Sequence, residues 1–400
     1  MLPVSQLLGA ALGSEGPGAA ARRAPDRFGQ VRAPVVVVWN TCPHCNQRCP
    51  HCYAAAVARP TPDTLDTAAG KALLRKLAEG GVRQLILSGG EPLLRDDLEE
   101  LAAHARHLGL RVHLSSNGTR LSDERARALA EAGVEYAGVS LDGLAAFNDR
   151  WRGSHRGFER AVRGLRAAQA AGMRTGVRIT VTRHNAGQVM DLLEHVARLG
   201  VNRFYVSHLL PSGRAGQLDE VAQTVEERRA LLHTLFAWAH AALERGVSTQ
   251  LVTGGNDADG PLLLRWVEAR FGERPAERLR TLLRMRGGNS AGERILCVDH
   301  TGRVFPDQFW RSAQVGDLRR QSLAEVLAHP LLAELRTRER RLQGRCGLCR
   351  YVALCRGSHR ERAEAAHGAR WAPDPACSLL DEEIGLPTGQ RVLTHREEAG

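Results

Sequence analysis

The sequence predicts an α/β protein, a partial (β/α)6 barrel followed by a cysteine-rich α+β domain. Three observations point there. From residue 82 to 207, a helix ending in glycine repeatedly hands over to a short apolar strand. Polar or glycine-rich phrases sit just after those strands. A second cysteine group closes the chain beyond a stretch with different grammar.

Met1 to Gly13 is mildly apolar, without a basic start or a clear cleavage site, and reads as a short helix rather than an export signal. Gly13 to Arg32 is rich in Gly, Ala and Pro, so residues 1–34 are expected to be a lead-in. Val35-Val-Val-Val-Trp39 is an apolar run of strand length. The next strands are expected over Gln84–Ser88, Arg111–Ser115, Tyr136–Ser140, Thr175–Val181 and Arg203–Ser207. Gly81, Gly109, Gly133, Gly172 and Gly200 precede them, where a left-handed helix cap is tolerated. Asp97–Leu108 is a representative helix, with Leu98, Leu101 and Leu108 on one face, Asp96 as the expected N-cap and Glu99 three residues on.

Alternating strands and helices imply parallel pairing with right-handed crossovers. A doubly wound sheet and a barrel both satisfy that. The polar phrases favour the barrel: Cys45–Cys52, Gly89-Gly90-Glu91-Pro92, Ser116-Asn117-Gly118, Leu141-Asp142-Gly143 and His208 all follow strands. Barrel enzymes gather their chemistry at that end. Beyond Pro211 come helices near Val225–Arg245, Leu262–Phe271 and Ala276–Arg286, then a hairpin over Ile295–Phe305 turning at Gly302. The expected organisation is a barrel at 35–215, a helical linker region at 216–290, a cysteine-rich domain at 291–386 and a flexible tail at 387–400.

Four hundred residues suit a barrel plus an appendage. No apolar run reaches membrane-spanning length, so no membrane association is expected. The net charge of +11 is almost all arginine, since only Lys71 and Lys76 are lysines. Arginine pairs bidentately with carboxylates, which suits an acidic substrate; a solvated basic surface is the bland alternative. No basic run interleaved with aromatics argues for nucleic acid. The cysteine count, nine, is odd and clustered, which argues for metal in a reducing, cytoplasmic compartment rather than for disulfides.

Cys45-x3-Cys49-x2-Cys52, followed by Tyr53, can fold around one metal centre. Three thiolates on a four-iron cluster leave one iron open to a small molecule. A zinc loop with Cys42 as fourth ligand is the alternative. The glycines of Gly89-Gly90-Glu91-Pro92 permit close backbone approach. Arg178 alternates with Val177 and Ile179, so its side chain can enter the barrel. At the other end, Cys346-x2-Cys349-x5-Cys355-x21-Cys377 supplies a closed four-thiolate site, suited to electron transfer or structural support, with a zinc ribbon as alternative. Cys297 is a further ligand candidate or a buried thiol, and His208 and His300 are candidates near a cluster or substrate.

Cys45, Cys49, Cys52 and Tyr53, with Gly89-Gly90-Glu91-Pro92 after the second strand, resemble the cluster loop and neighbouring motif of the radical SAM (S-adenosylmethionine) superfamily. The resemblance implies a [4Fe-4S] cluster that chelates SAM and cleaves it to methionine and a hydrogen-abstracting 5′-deoxyadenosyl radical. It implies SAM contacts for Gly89, Gly90, Glu91, Asn117, Ser140 and Asp142, and a SAM carboxylate partner in Arg178. The C-terminal cysteines resemble a SPASM or twitch extension, implying a second [4Fe-4S] cluster on Cys346, Cys349, Cys355 and Cys377, and a reducing donor such as flavodoxin or ferredoxin.

More narrowly, Ser115–Thr119, Val139–Gly143, Phe204–Leu209 with Ser212-Gly-Arg214, Val252–Gly260, Phe305–Trp310, Gly344–Tyr351 and Asp374–Cys377 resemble the NirJ family, the radical SAM enzymes of haem d1 biosynthesis. That resemblance spans roughly residues 35 to 386. It implies removal of two propionates from 12,18-didecarboxysirohaem, an acidic tetrapyrrole. Arg356-Gly357-Ser358-His359 departs from the family's Gly-Gly-Asn phrase, and Cys42-Pro43-His44 from its basic residues. A haem-synthesis decarboxylase, a peptide maturase and a non-catalytic iron–sulfur or zinc protein are the rival readings.

Overall fold

A computed structural model describes residues 1–13 and 34–386; most of the expected lead-in and the expected tail lie outside these described residues. Ten strands form one sheet: β1 (Val36–Asn40), β2 (Gln84–Ser88), β3 (Arg111–Ser116), β4 (Val134–Ser140), β5 (Arg174–Val181), β6 (Arg203–His208), β7 (Gln250–Gly254), β8 (Ile295–Val298), β9 (Arg303–Phe305) and β10 (Gly316–Asp317). The spatial order is β10-β9-β8-β1-β2-β3-β4-β5-β6-β7. Neighbours from β8 through β1 to β7 pair in parallel, while β9 and β10 add antiparallel.

The six expected strands are present, and two features differ from the sequence reading. β7 lies within the stretch read as helical and pairs with β6. The hairpin turns at Gly302 as expected, yet its first strand pairs with β1 and so extends the barrel sheet. Backbone groups at the edges of a six-stranded sheet need partners, and these strands supply them.

Strand periodicity divides the side chains. Leu85, Leu87, Val112 and Leu114 are buried against the helical layer, each contributing about 1.5–3 kcal/mol by leaving water. The alternate positions turn inward, and the register aligns Ser140, Arg178, Tyr205 and Val252 across β4 to β7. The outer helices begin at side-chain caps. Asp66 accepts from Ala69 N, Ser122 from Arg125 N, and Thr224 forms a capping box with Glu227. Helix Leu98–His107 is preceded by Asp97, not the expected Asp96. Asp97 does not cap it by a side-chain bond; its carboxylate instead binds Arg95 and Thr67. The N-terminal helix Val4–Leu12 is present, and Leu2 pairs with Thr253 on the outer edge of β7.

Candidate active site

A cavity of about 1320 Å3, including its open mouth, lies within the barrel at the C-terminal ends of the strands. Cys45, Cys49, Cys52 and Tyr53 line it, with Gly89, Gly90, Asn117, Ser140, Arg178 and His208. These predicted residues come from six different stretches of chain and meet because parallel strands end on one face.

The cysteine loop follows β1 and is held by its own backbone. Cys45 N donates to Val57 O (2.9 Å) and Val57 N to Pro43 O (3.0 Å). Arg214 clamps it from outside, donating from Nε to Cys49 O (3.0 Å) and from Nη1 to Ala56 O (2.7 Å). Below, Gly90 N donates to Cys42 O and Glu91 N to His44 O. Gly90 cannot be replaced without movement, because an added Cβ would overlap the His44 backbone.

The donor set suits an iron–sulfur cluster. Gln47 N (3.4 Å) and Asn117 Nδ2 (3.7 Å) donate to Cys45 Sγ, and Ala56 N (3.5 Å) donates to Cys52 Sγ. Such N–H groups stabilise thiolate ligands and tune cluster potential. Burial, reinforced by the other thiols, pushes Cys45 up to about 12, and burial pushes Cys49 up to about 11. Without a metal both are therefore neutral thiols; bound iron would deprotonate them. Among the described residues no three His, Cys, Asp or Glu side chains gather as ligands of one ion. Sulfurs that each bind a separate iron need not meet at one point.

Cys42 is not part of this set. It is buried, and its thiol donates to Glu91 O (3.3 Å). Cys297, fully buried on β8, accepts from Asn40 Nδ2 at 3.7 Å and packs with Val38 and Phe305. His300 points elsewhere, with Nε2 3.7 Å from Asp63.

Two predicted SAM ligands are turned away from the cavity. The Glu91 carboxylate is fully buried and accepts from Ser116 Oγ (2.6 Å), Asn117 N (2.7 Å) and Leu93 N (3.1 Å). Burial raises its pKa, against which these donors work. It shapes the Asn117 turn, leaving backbone near the cavity. Asp142 is also fully buried and lies 2.9 Å from Arg152 Nη2 and 3.0 Å from His51 Nε2, and it accepts from Thr180 N (3.0 Å). Although burial opposes its charge, Arg152 and His51 hold its carboxyl well below the usual carboxylate range. Trp151 Nε1 donates to His51 Nδ1 (2.7 Å), so the proton of His51 sits on Nε2, facing Asp142. This network ties the loop between Cys49 and Cys52 to helix Ala145–Arg152.

The cavity wall includes residues the sequence reading passed over. Arg214 and Phe309 lie in phrases noted there without a site role. Arg152, Gln47 and His51 carried no local signal, since their partners are distant in sequence. Tyr53 OH donates to Asn40 Oδ1 (3.1 Å), and burial pushes its pKa up to about 12. Arg178 lies over the Tyr205 ring (5.7 Å) with its Nε unpartnered. His208 Nε2 meets the buried Asp259 carboxylate at 2.9 Å.

Cys346, Cys349, Cys355 and Cys377 are brought together in the C-terminal region. Burial raises all four, and the charges of Cys346, Cys349 and Cys377 each add to the rise at Cys355. Tyr351 N donates to Cys349 Sγ (3.3 Å).

Residues 39–196 match the radical SAM superfamily. The chain is 39% identical over 379 residues to the pre-heme d1 synthase of Dinoroseobacter shibae, covering 94% of each chain. It is 38% identical over 365 residues to the Fe-coproporphyrin III synthase of Methanosarcina barkeri, covering 90% of this chain and 91% of that one. The fold is similar to Streptococcus suis SuiB bound to S-adenosylmethionine (TM-score 0.67, 16% identity, 88% of this chain and 79% of that one). It is equally similar to anSMEcpe with bound AdoMet (TM-score 0.67, 16% identity, 87% and 95%).

Proposed function

The chain belongs to the radical SAM superfamily, and from that premise we propose that it removes propionate side chains from 12,18-didecarboxysirohaem on the route to haem d1. It is an enzyme related to those of haem biosynthesis. One observation carries the substrate class. Arg178 and Arg214 line the cavity without a carboxylate partner among the described residues, while Glu91 and Asp142 are turned into internal bonds. Such a cationic chamber suits a tetrapyrrole bearing several carboxylates.

When bound, a four-iron cluster with an open iron and SAM supplies a radical that takes hydrogen from a propionate. In this reading Cys45, Cys49 and Cys52 hold the cluster. Gly89 and Gly90 admit the methionine end of SAM close to backbone, and Asn117 and Ser140 hydrogen-bond its polar groups. Arg178 pairs with a carboxylate of SAM or substrate. His208, oriented by Asp259, faces the substrate. Cys346, Cys349, Cys355 and Cys377 hold a second, closed cluster, and residues 291–386 carry it. Phe309 and Tyr53, in edge contact at 5.3 Å, exclude water between the two regions. A flavodoxin or ferredoxin supplies electrons.

The test is anaerobic reconstitution, reduction and assay of 5′-deoxyadenosine against a Cys49→Ala control, then mass spectrometry after turnover with didecarboxysirohaem. Loss of two propionates is the expected result. The 38% relative favours a second reading, formation of Fe-coproporphyrin III, and that product would replace the first assignment.

A further inference from the structure

The sheet order runs from β10 to β7, and those two edges do not pair with each other, so the barrel is open on one side among the described residues. The N-terminal segment is bound along one lip of that opening. Leu2 N donates to Thr253 O (2.6 Å), Thr253 N donates to Leu2 O (2.9 Å), and Leu251 N donates to Ser5 Oγ (2.9 Å). These bonds occupy the free edge of β7. Beyond them, Val4, Leu7, Leu8 and Ala11 are buried in the same core as Leu235 and Leu279 of the outer helices Val225–Glu244 and Glu273–Arg286. Arg278 Nε donates to Ala11 O (2.6 Å), which fastens the far end of the segment.

Met1 behaves differently from its apolar neighbours. Leu2 and Val4 are buried, whereas Met1 is 58% exposed, and it lines the central cavity. It lies close enough to Arg286, Asp257, Arg294 and Asp259 to feel their charges. Arg294 directly precedes Ile295, the first residue of β8, so Met1 reaches from the β7 lip toward the β8 side. Ile86 and Ile295 line the same cavity and are only partly buried. A site for a large flat ligand needs such apolar wall beside its few polar groups.

We propose that the Met1–Ser5 segment is a specificity-determining wall of the substrate chamber, setting the Met1 side chain against the flat apolar face of a tetrapyrrole. The thioether is flexible and polarizable and makes favourable contacts with conjugated rings. Ile86 and Ile295 extend the same apolar surface, while Leu2 and Ser5 hold the segment in place through β7. This rests on the tetrapyrrole reading above.

The chain has four methionines, Met1, Met173, Met190 and Met285, so isotope labelling of the methionine methyl groups gives signals that Met→Leu replacement of the other three assigns. Didecarboxysirohaem is titrated anaerobically into the labelled, reconstituted enzyme. The Met1 signal is expected to shift. Met285, 54% exposed but not on the cavity wall, and Met173, buried in the outer core, are expected to stay in place. Leu2→Glu puts a charge on a buried anchor. It is expected to weaken didecarboxysirohaem binding by about tenfold and to strip hydrogen-exchange protection from the Leu251 and Thr253 amides, with the Met173 signal unmoved. Leu2→Gly carries the same expectation if Leu2→Glu fails to fold. An unshifted Met1 signal at saturation overturns the proposal. So does unchanged affinity once both amides exchange freely, and so does protection retained at both amides, since the wall would then not hang on this edge. A wild type that binds no didecarboxysirohaem fails the substrate reading instead, and Fe-coproporphyrin III then takes its place in the same titration. Binding of neither removes the tetrapyrrole reading and this wall with it.

Discussion

Replacing Asp142 by asparagine separates a structural anchor from a SAM ligand. The carboxylate is fully buried and faces Arg152 at 2.9 Å and His51 at 3.0 Å. Asp142→Asn keeps the shape but removes the charge, leaving the buried Arg152 guanidinium uncompensated. Breaking a buried pair from one side costs about 3–5 kcal/mol, a large share of a total stability of about 5–15 kcal/mol. The assay is urea unfolding of wild type and variant at pH 7, with SAM affinity measured on reconstituted protein. The expected result is a midpoint drop at unchanged slope, together with partial loss of iron from the first loop. The sign with pH follows from the depressed carboxyl. Its contribution is complete above the unfolded carboxylate value of about 3.9 and is lost as pH falls below that. The wild-type and Asn curves should therefore converge only in strong acid. A loss under about 1 kcal/mol combined with weaker SAM binding would refute the anchor and restore Asp142 as a ligand.

Other outcomes follow from the same geometry. Gly90→Ala should abolish first-cluster loading, since the new Cβ meets the His44 backbone, and iron per chain should fall by about half while Cys42→Ala and Cys297→Ala retain it. Arg178→Leu should weaken tetrapyrrole or SAM binding by about 10- to 150-fold, the worth of a charge-assisted bond of about 1.5–3 kcal/mol, read by fluorescence quenching. Burial, with Asp307 nearby, pushes Glu361 up to about 9, so its neutral form favours the fold. That stability is present below the unfolded value of about 4.3 and is lost as pH rises toward the folded value. Glu361→Gln should therefore gain on wild type in urea midpoints between pH 5 and 9, and parallel profiles would exclude a buried neutral acid.

Much of the barrel was readable because its signals are local. A glycine after each helix and an apolar run of strand length depend only on neighbouring residues, and β2 through β6 follow that pattern. Arg178 was readable through alternation alone, since a period of two sends it inward between Val177 and Ile179. The capping residue at Leu98 was misplaced by one position because Asp96 and Asp97 offer the same chemistry, and the contacts of Asp97 with Arg95 and Thr67 distinguish them. β7 escaped because five residues between long helices carry too little pattern, and its pairing with β6 depends on the crossover that precedes it.

The cysteine spacing, the glycine pair and the strand-end phrases pointed to the family that the 39% relative bears out, and they offered Cys45, Cys49 and Cys52 as candidate cluster ligands, because ligands within one loop must be close in sequence. Which polar groups remain open to the cavity is another matter. Glu91 and Asp142 look in sequence like ligands beside that loop, but Ser116, Asn117, Arg152 and His51 claim them. Those partners come from separate elements, and burial makes an unpaired charge too costly to leave facing inward alone. Only the tertiary structure set Arg178 and Arg214 on the cavity wall without a carboxylate partner among the described residues, Arg214 bonding backbone carbonyls of the cysteine loop instead.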